Sequence, residues 1–167
     1  KLVMGLRTET AKPENSVDAV KVMNAILGGT TQSKLFVNVR EKLSLCYYCA
    51  SRYNAQKGII FIESGVEKKN IQKAKTEILE QLKEIKLGNF SDDELSETKL
   101  FITQSLEKIK DSSRSLEMWY AEKTFDEVKD TPDDAIEKIN KVTREQVIEA
   151  ATKVTLDTVY ILSGNEE

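Results

Sequence analysis

Residues 27–48 read LGGTTQSKLFVNVREKLSLCYY, and in this stretch the hydrophobic period changes from helical to extended. A helical pattern ends at Gly28-Gly29, where we expect glycine to take the left-handed position that follows many helices. A second short helix is predicted over Ser33–Lys42. From Cys46 onward apolar and polar residues alternate, which is typical of a strand.

The flanking segments extend this pattern to the whole chain of 167 residues. Alternation predicts a first strand at Lys1–Glu9, a hairpin made of Cys46–Tyr53 and Gly58–Gly65, and a last strand at Thr158–Ser163. From Glu67 to Lys153 the apolar residues have helical spacing, and the first stripe consists of Ile71, Ala74, Ile78, Leu82 and Ile85. Capping boxes at Ser91–Glu94 and Thr143–Gln146 predict two helix starts, and the charged run Glu67–Lys69 is interpreted as a solvated face. Because strands and helices are partly segregated, we predict an α+β domain over residues 1–167. The expected architecture is a two-layer α/β sandwich, with a mostly antiparallel sheet and helices packed on one face.

The composition excludes several classes of function. The chain contains no histidine, which rules out Ser-His-Asp triads, Cys-His pairs and the histidine-bearing zinc helices within it. Its net charge of −3 does not favour nucleic acid as a partner, since nucleic-acid-binding domains usually present a basic face. Apolar runs are far shorter than the roughly 18 residues of a membrane span, so we expect no membrane contact.

Two cysteines form the sequence Cys46-Tyr47-Tyr48-Cys49. Redox-active pairs with this spacing lie at helix N-termini, whereas this one falls in a predicted strand. Side chains three apart in a regular strand point to opposite faces, so we expect two separate, buried and inert thiols. A thiol oxidoreductase is the alternative, and it predicts fast alkylation at low pH. Two cysteines do not make a secreted disulfide framework, which favours a reducing, cytoplasmic setting.

Two further pairs of residues are candidates for function. Arg40 and Tyr47 flank a short connection, so their polar ends are expected at the same end of the sheet. Together they could hold a peptide carbonyl or the oxyanion that it becomes. A surface ion pair beside a half-buried tyrosine is the alternative. Gly28 and Gly29 could belong to a phosphate loop, but they follow a helix, which favours a chain reversal.

The motif in residues 27–48 resembles the signature of the peptidase M16 family. The matching residues are Leu27-Gly28-Gly29, then Ser33-Lys34-Leu35-Phe36, then Val39-Arg40-Glu41-Lys42 and finally Leu45 with Tyr47. The family includes pitrilysin, insulin-degrading enzymes, mitochondrial processing peptidases and bacterial two-subunit relatives. The segment Ser44-Leu45-Cys46-Tyr47-Tyr48 is most similar to the zinc-less partner subunits of the bacterial members.

The resemblance implies a role for this chain as a whole. It implies the LuxS/mitochondrial-processing-peptidase-like metallohydrolase fold, in a C-terminal-type domain that holds no zinc. Zinc is expected in another M16 domain or subunit, as in a heterodimer, and no cofactor is expected here. Since the chain begins at Lys1 rather than methionine, we expect it to be a piece of a longer two-domain subunit.

The resemblance also assigns residues. Arg40 and Tyr47 match the arginine and tyrosine that bind the substrate backbone and help to stabilise the tetrahedral intermediate. Gly28 and Gly29 match, by location, a glycine-rich loop used in substrate handling. The expected function is a non-catalytic substrate-binding and assembly domain of a zinc peptidase, with peptide as substrate. The alternative is a purely structural interaction domain of an inactive homologue.

Overall fold

The computed structural model describes residues 1–12, 14, 16–125 and 129–164, and its strands form one antiparallel sheet. The strands are β1 (Leu2–Arg7), β2 (Cys46–Asn54), β3 (Ile59–Val66) and β4 (Thr155–Ile161). Their order in the sheet is β2-β3-β1-β4, and each neighbouring pair is antiparallel. The predicted α+β class and antiparallel sheet are therefore confirmed.

In the described part of the chain, the helical elements are α-helices, two π-helical segments and two short 3₁₀-helices, Lys68–Asn70 and Lys108–Asp111. The α-helices are α1 (Val17–Asn24), α2 (Ile71–Lys86), α3 (Asp92–Glu107), α4 (Ser113–Phe125), α5 (Pro132–Lys141) and α6 (Arg144–Lys153). The first π-helical segment, Ala25–Gly29, continues α1, and the second, Leu35–Lys42, precedes β2. Among the described residues, no helix has both the length and the apolar composition that a bilayer span requires.

The sheet is covered by helices on one face only. On the inner face, Leu2, Met4 and Leu6 of β1 are fully buried, and Ile60 and Ile62 of β3 lie opposite them. The stripe predicted on α2 packs against this layer, with all five of its members buried: Ile71, Ala74, Ile78, Leu82 and Ile85. The outer face carries exposed side chains, including Arg7, Ala50, Arg52, Phe61 and Tyr160. This asymmetry gives the two-layer sandwich.

Local sequence signals set several helix ends. The capping boxes predicted at Ser91 and Thr143 are both formed, and Thr131 makes a third one ahead of Pro132 at the start of α5. Ser16 lies at the N-cap of α1, but its side chain makes no capping hydrogen bond.

The expected left-handed glycine after α1 is wrong. Gly28 has a φ of −158°, and neither it nor Gly29 has a positive φ. The left-handed position occurs instead at Ser44, with a φ of 48°, just after the second π-helical segment. There the Leu45 amide donates back to the Val39 carbonyl and closes the helix end.

Gly28 is required by close packing rather than by backbone conformation. It is buried where the first π-helical segment meets β2. A Cβ atom at this position would lie 2.8 Å from the Ser51 backbone nitrogen and 2.7 Å from the Leu35 Cδ1 atom. The Ser51 nitrogen belongs to the backbone of β2, so it cannot move aside as the end of a flexible side chain could. The absence of a side chain thus sets the distance between the helical layer and the sheet.

We expect Gly28→Ala to lower the free energy of unfolding by about 1–3 kcal/mol, because the added methyl group overpacks this contact. Gly29→Ala is the matched control. Gly29 is exposed and its nearest neighbours would lie 3.5 Å from a Cβ atom, so the change should stay within about 0.5 kcal/mol. Urea denaturation of both variants measures the difference. Equal stability of the two variants would contradict the packing role.

Candidate functional site

A cleft of about 590 Å³ opens where β2 begins and β3 ends. It is formed by two short segments of the chain, which contribute Arg40, Glu41, Ser44, Leu45, Cys46 and Tyr47 on one side and Glu67, Lys69 and Asn70 on the other. The structure therefore brings Arg40 and Tyr47 into one cleft, at the end of the sheet that the sequence indicates. Their chemical role is a separate question.

Arg40 enters the cleft from the last turn of the second π-helical segment. Its guanidinium carbon lies 4.5 Å from the centroid of the Phe36 ring, a stacking contact that restricts the side chain. Its Nε atom is 3.5 Å from the Glu41 carboxylate, and 38% of the Arg40 side chain is exposed. Such an exposed ion pair is weak, so the guanidinium keeps donors available to a bound group.

Tyr47 is 75% exposed, although it lies one residue inside β2. Within the described part of the chain it makes no hydrogen bond to Arg40. The Tyr47 hydroxyl is thus open to the cleft, as the guanidinium is. The Arg40 guanidinium and the Tyr47 hydroxyl can both donate hydrogen bonds to a carbonyl or carboxylate oxygen bound in the cleft.

A β-bulge at the start of β2 sets the orientation of Tyr47. Cys46 pairs with Val66 and Cys49 pairs with Ser64, so three steps along β2 match two steps along β3. In a regular strand that alternates from the buried Cys49, Tyr47 would point to the inner face. With the extra residue, both Tyr47 and Tyr48 are exposed. The Tyr48 ring packs over Gly65 of the neighbouring strand.

The same bulge overturns the expectation for the cysteines. Cys46 and Cys49 were expected on opposite faces, but both pair with residues of the inner face, Val66 and Ser64. Cys46 is half-buried and lines the cleft, whereas Cys49 is 4% exposed. Side chains along β2 do not alternate regularly between the two faces here, because the bulge inserts one residue between the two cysteines.

The interaction between the two thiols shifts their pKa values in opposite directions. The hydrogen bond from Cys49 lowers the pKa of the Cys46 thiol to about 6, opposed by burial and aided by the Ser64 hydroxyl and the Arg40 charge. The pKa of the Cys49 thiol is raised far above its ordinary value by the same hydrogen bond and by burial. Cys46 is therefore the thiolate of the pair at neutral pH.

Sequence reasoning missed part of the cleft. Lys69 and Glu67 belong to a charge run that was interpreted as a solvated face, yet both line the cleft and form an ion pair of 2.9 Å. No local motif marks them. They become neighbours of Tyr47 because β3 runs antiparallel to β2 and ends beside its start.

The two glycines of the motif lie elsewhere. Gly28 packs against Ser51 and Leu35, and neither Gly28 nor Gly29 lines the cleft of Arg40 and Tyr47. The adjacent Thr30 borders a different cavity of about 180 Å³ beside α3. The structure thus gives Gly28 a packing role and keeps the glycine turn apart from the cleft.

The residues present do not fit a zinc site. The chain has no histidine, and the described residues contain no group of three or more cysteine or acidic side chains that could hold a metal ion. The Cys46–Cys49 pair supplies two sulfur ligands, whereas structural zinc takes four ligands and catalytic zinc takes three from the protein. No step of a reaction is therefore routed through zinc within these residues.

Comparison with known proteins identifies relatives over the whole chain. The family model "Peptidase M16 inactive domain" matches residues 1–100. A protein of Bacillus subtilis (strain 168) named "Probable inactive metalloprotease YmfF" is 37% identical over 166 residues. That match covers 99% of this chain but only 39% of the relative, so the chain spans about two fifths of its length.

Solved structures have the same fold. A conserved protein from Enterococcus faecalis V583 matches with a TM-score of 0.91 and 29% identity, over 99% of this chain and 39% of that one. The peptidase M16 inactive domain from Pseudomonas fluorescens matches with a TM-score of 0.76 and 19% identity, over 93% of this chain and 39% of that one. At the lower identity the likeness concerns the fold alone. Because the family model covers more than half of the 167 residues, the chain belongs to the peptidase M16 inactive domain family.

Proposed function

We propose that this chain is a substrate-binding and assembly domain of an M16-type zinc peptidase, and that Arg40 and Tyr47 contact the peptide backbone. Zinc would be held by another domain or subunit, in keeping with the lack of a metal site among the described residues. Residues 1–167 would form one C-terminal-type domain of a longer subunit. The chain's 39% share of the Bacillus subtilis relative supports that arrangement.

The observation that carries the proposal is the presence of both donors in one open cleft. Arg40 is restrained by Phe36 but only weakly paired, and Tyr47 is largely exposed. An exposed tyrosine and an arginine without a strong carboxylate partner gain little for folding. They are suited to bind an oxygen atom that acquires negative charge as a peptide bond is attacked.

The electrostatics of the cleft favour the same ligand. Arg40 and Lys69 lie on its two sides, and each has a neighbouring carboxylate, Glu41 and Glu67. With the Cys46 thiolate included, the cleft has two positive and three negative groups, so it has a small net negative charge but contains strong local donors. Such a mixture suits the neutral, polar backbone of a peptide better than it suits a polyanion.

The partners and the cellular setting belong to the same proposal. The chain would associate with a zinc-bearing M16 domain or subunit as a heterodimer, so that the cleft faces the zinc across the assembly. The two thiols are free, which is consistent with a reducing cytoplasmic compartment.

A purely structural role is the second candidate. It is favoured by the exposed apolar side chains of α3 and α4, among them Leu100, Phe101 and Met118, which could form an assembly surface. Under that hypothesis, deleting the domain abolishes complex formation, whereas changes at Arg40 or Tyr47 have no effect on peptide turnover.

Tyr47→Phe should lower the peptide turnover of the full subunit, reconstituted with its zinc-bearing partner, by about 10²–10³-fold, because a donor to the developing oxyanion is lost. Tyr48→Phe is the matched control. It removes the neighbouring hydroxyl, whose ring packs over Gly65 outside the cleft, and turnover should stay normal. Size-exclusion chromatography should show intact assembly for both variants. Normal turnover in Tyr47→Phe would exclude the hydroxyl from the reaction.

Arg40→Ala should lower kcat/KM for peptide by a similar factor of about 10²–10³, because the charged donor is removed. Arg52→Ala is its control, since it also removes an arginine, but one that lies on β2 and is exposed on the outer face of the sheet. Steady-state kinetics of the assembled complex measures both. If Arg40→Ala and Tyr47→Phe both assemble and turn over normally, the structural role replaces the substrate-binding role.

A further inference from the structure

Two sulfur atoms meet at the bulge of β2, in a place where strand geometry normally keeps such residues apart. Residues three apart in an extended strand have Cα atoms roughly 10 Å apart, and a disulfide requires less than about 7 Å. The bulge matches the three-residue step from Cys46 to Cys49 to a two-residue step of β3, which spans roughly 7 Å, and it places both cysteines opposite residues of the inner face. The local fold thus creates a dithiol that a regular strand would not allow.

The two thiols have different environments. Cys46 faces the cleft and is accessible from solvent, with the Arg40 guanidinium as the charged group beside it. Cys49 is 4% exposed and lies behind it, in the core. An accessible thiolate next to a buried thiol is the arrangement in which one sulfur reacts and the other resolves the product.

The buried hydroxyl of Ser64 is a further observation at the two cysteines. Ser64 on β3 is fully buried, and its Oγ atom makes no hydrogen bond of ordinary geometry within the described part of the chain. It lies near both sulfur atoms and lowers the pKa of each. A buried hydroxyl without a hydrogen-bond partner destabilises the fold. A thiolate at Cys46 would accept a hydrogen bond from the Ser64 hydroxyl.

We propose that Cys46 and Cys49 form a redox-active site that hydroperoxides oxidise to a reversible disulfide across the β2 bulge. In the first step the Cys46 thiolate attacks the peroxide: an S–O bond forms, the O–O bond breaks, and the leaving oxygen takes a proton to become water or an alcohol. Cys46 is then a sulfenic acid.

In the second step the Cys49 sulfur attacks the Cys46 sulfur. The S–S bond forms, the S–O bond breaks, and the proton of the Cys49 thiol leaves with the hydroxide as water. The dithiol loses two electrons and the hydroperoxide gains them. A dithiol reductant reverses the reaction by thiol–disulfide exchange.

Oxidation would act on the neighbouring cleft. Tyr47 is one of the two residues enclosed between the cysteines, so the disulfide fixes the backbone that orients its ring. Arg40 loses the negative charge of the Cys46 thiolate and becomes a freer cation. The effect on peptide turnover rests on the proposed function, whereas the chemistry of the dithiol does not.

The test oxidises the intact protein with hydrogen peroxide, blocks remaining thiols and digests it with trypsin. Cleavage after Lys42 and after Arg52 gives the peptide 43–52, which contains both cysteines of the chain. We expect this peptide to lose two hydrogen atoms, to resist alkylation, and to recover both thiols after dithiothreitol. Two thiols that remain fully reduced, while a small-molecule thiol in the same solution is oxidised, would overturn the proposal.

Serine variants separate the two roles. In Cys49→Ser, oxidation should stop at the sulfenic acid of Cys46, which dimedone traps. In Cys46→Ser, the buried Cys49 should stay reduced. If Cys49 in Cys46→Ser is oxidised as fast as Cys46 in Cys49→Ser, the assignment of Cys46 as the attacking sulfur is overturned.

The pH dependence of alkylation is a second measurement. The iodoacetamide rate of Cys46 in the native protein should rise with pH through about 6, because the thiolate reacts, and should level off near neutrality. Cys49→Ala should move this midpoint upward more than Arg40→Gln does, since the hydrogen bond from Cys49 is the larger cause. The other charged groups of the cleft, Glu41, Glu67 and Lys69, are unchanged in both variants. A native midpoint near the ordinary value of about 8.5 would contradict the thiolate assignment.

A third measurement links the site to the cleft. In the assembled complex, peroxide should change the peptide turnover of the wild type, and a dithiol reductant should reverse the change. In Cys46→Ser, turnover should be the same before and after peroxide treatment. A disulfide found by mass without any change in wild-type turnover would overturn the link to the cleft. The Tyr47→Phe kinetics separately test whether Tyr47 contributes at all.

Discussion

The β2 strand accommodates one more residue than its partner β3 between Cys46 and Cys49, and the cleft depends on that mismatch. The extra residue turns Tyr47 away from the core and into the cleft that Arg40 also lines. It also brings two thiols to the inner face. Because bulges redirect side chains at the ends of sheets, a single inserted residue accounts both for the exposed tyrosine of the cleft and for two cysteines on one face.

The rest of the fold holds this strand in place. Gly28 lets the helical layer approach the backbone at Ser51, only two residues beyond Cys49. Leu35 and Val39 of the second π-helical segment are fully buried, which fixes the turn that presents Arg40. π-Helical turns are rare and often lie near functional sites, and here one overlaps the start of the motif and a second lies within it. The motif therefore contributes buried residues that pack the helical layer on the sheet, as well as side chains with hydrogen-bond donors in the cleft.

Much of the fold could be predicted from local signals. The buried stripe of α2 and the capping boxes at Ser91 and Thr143 follow from side-chain chemistry within a few residues, and the structure contains all of them. Of the candidate site, the meeting of Arg40 and Tyr47 in one cleft follows from their short separation. Lys69 was missed because it reaches the cleft through strand pairing, which leaves no local pattern.

The sequence by itself determined the class of the domain and the absence of a histidine-based site, because hydrophobic periods and composition are properties of the chain alone. It also placed an arginine and a tyrosine near the start of β2. Only the tertiary structure decided which way the residues of β2 point. Register depends on hydrogen bonds to β3 and on packing beneath the strand, and one inserted residue reverses the face of every side chain before it. For that reason the placement of Cys46 and Cys49 on one face could not be deduced from their spacing.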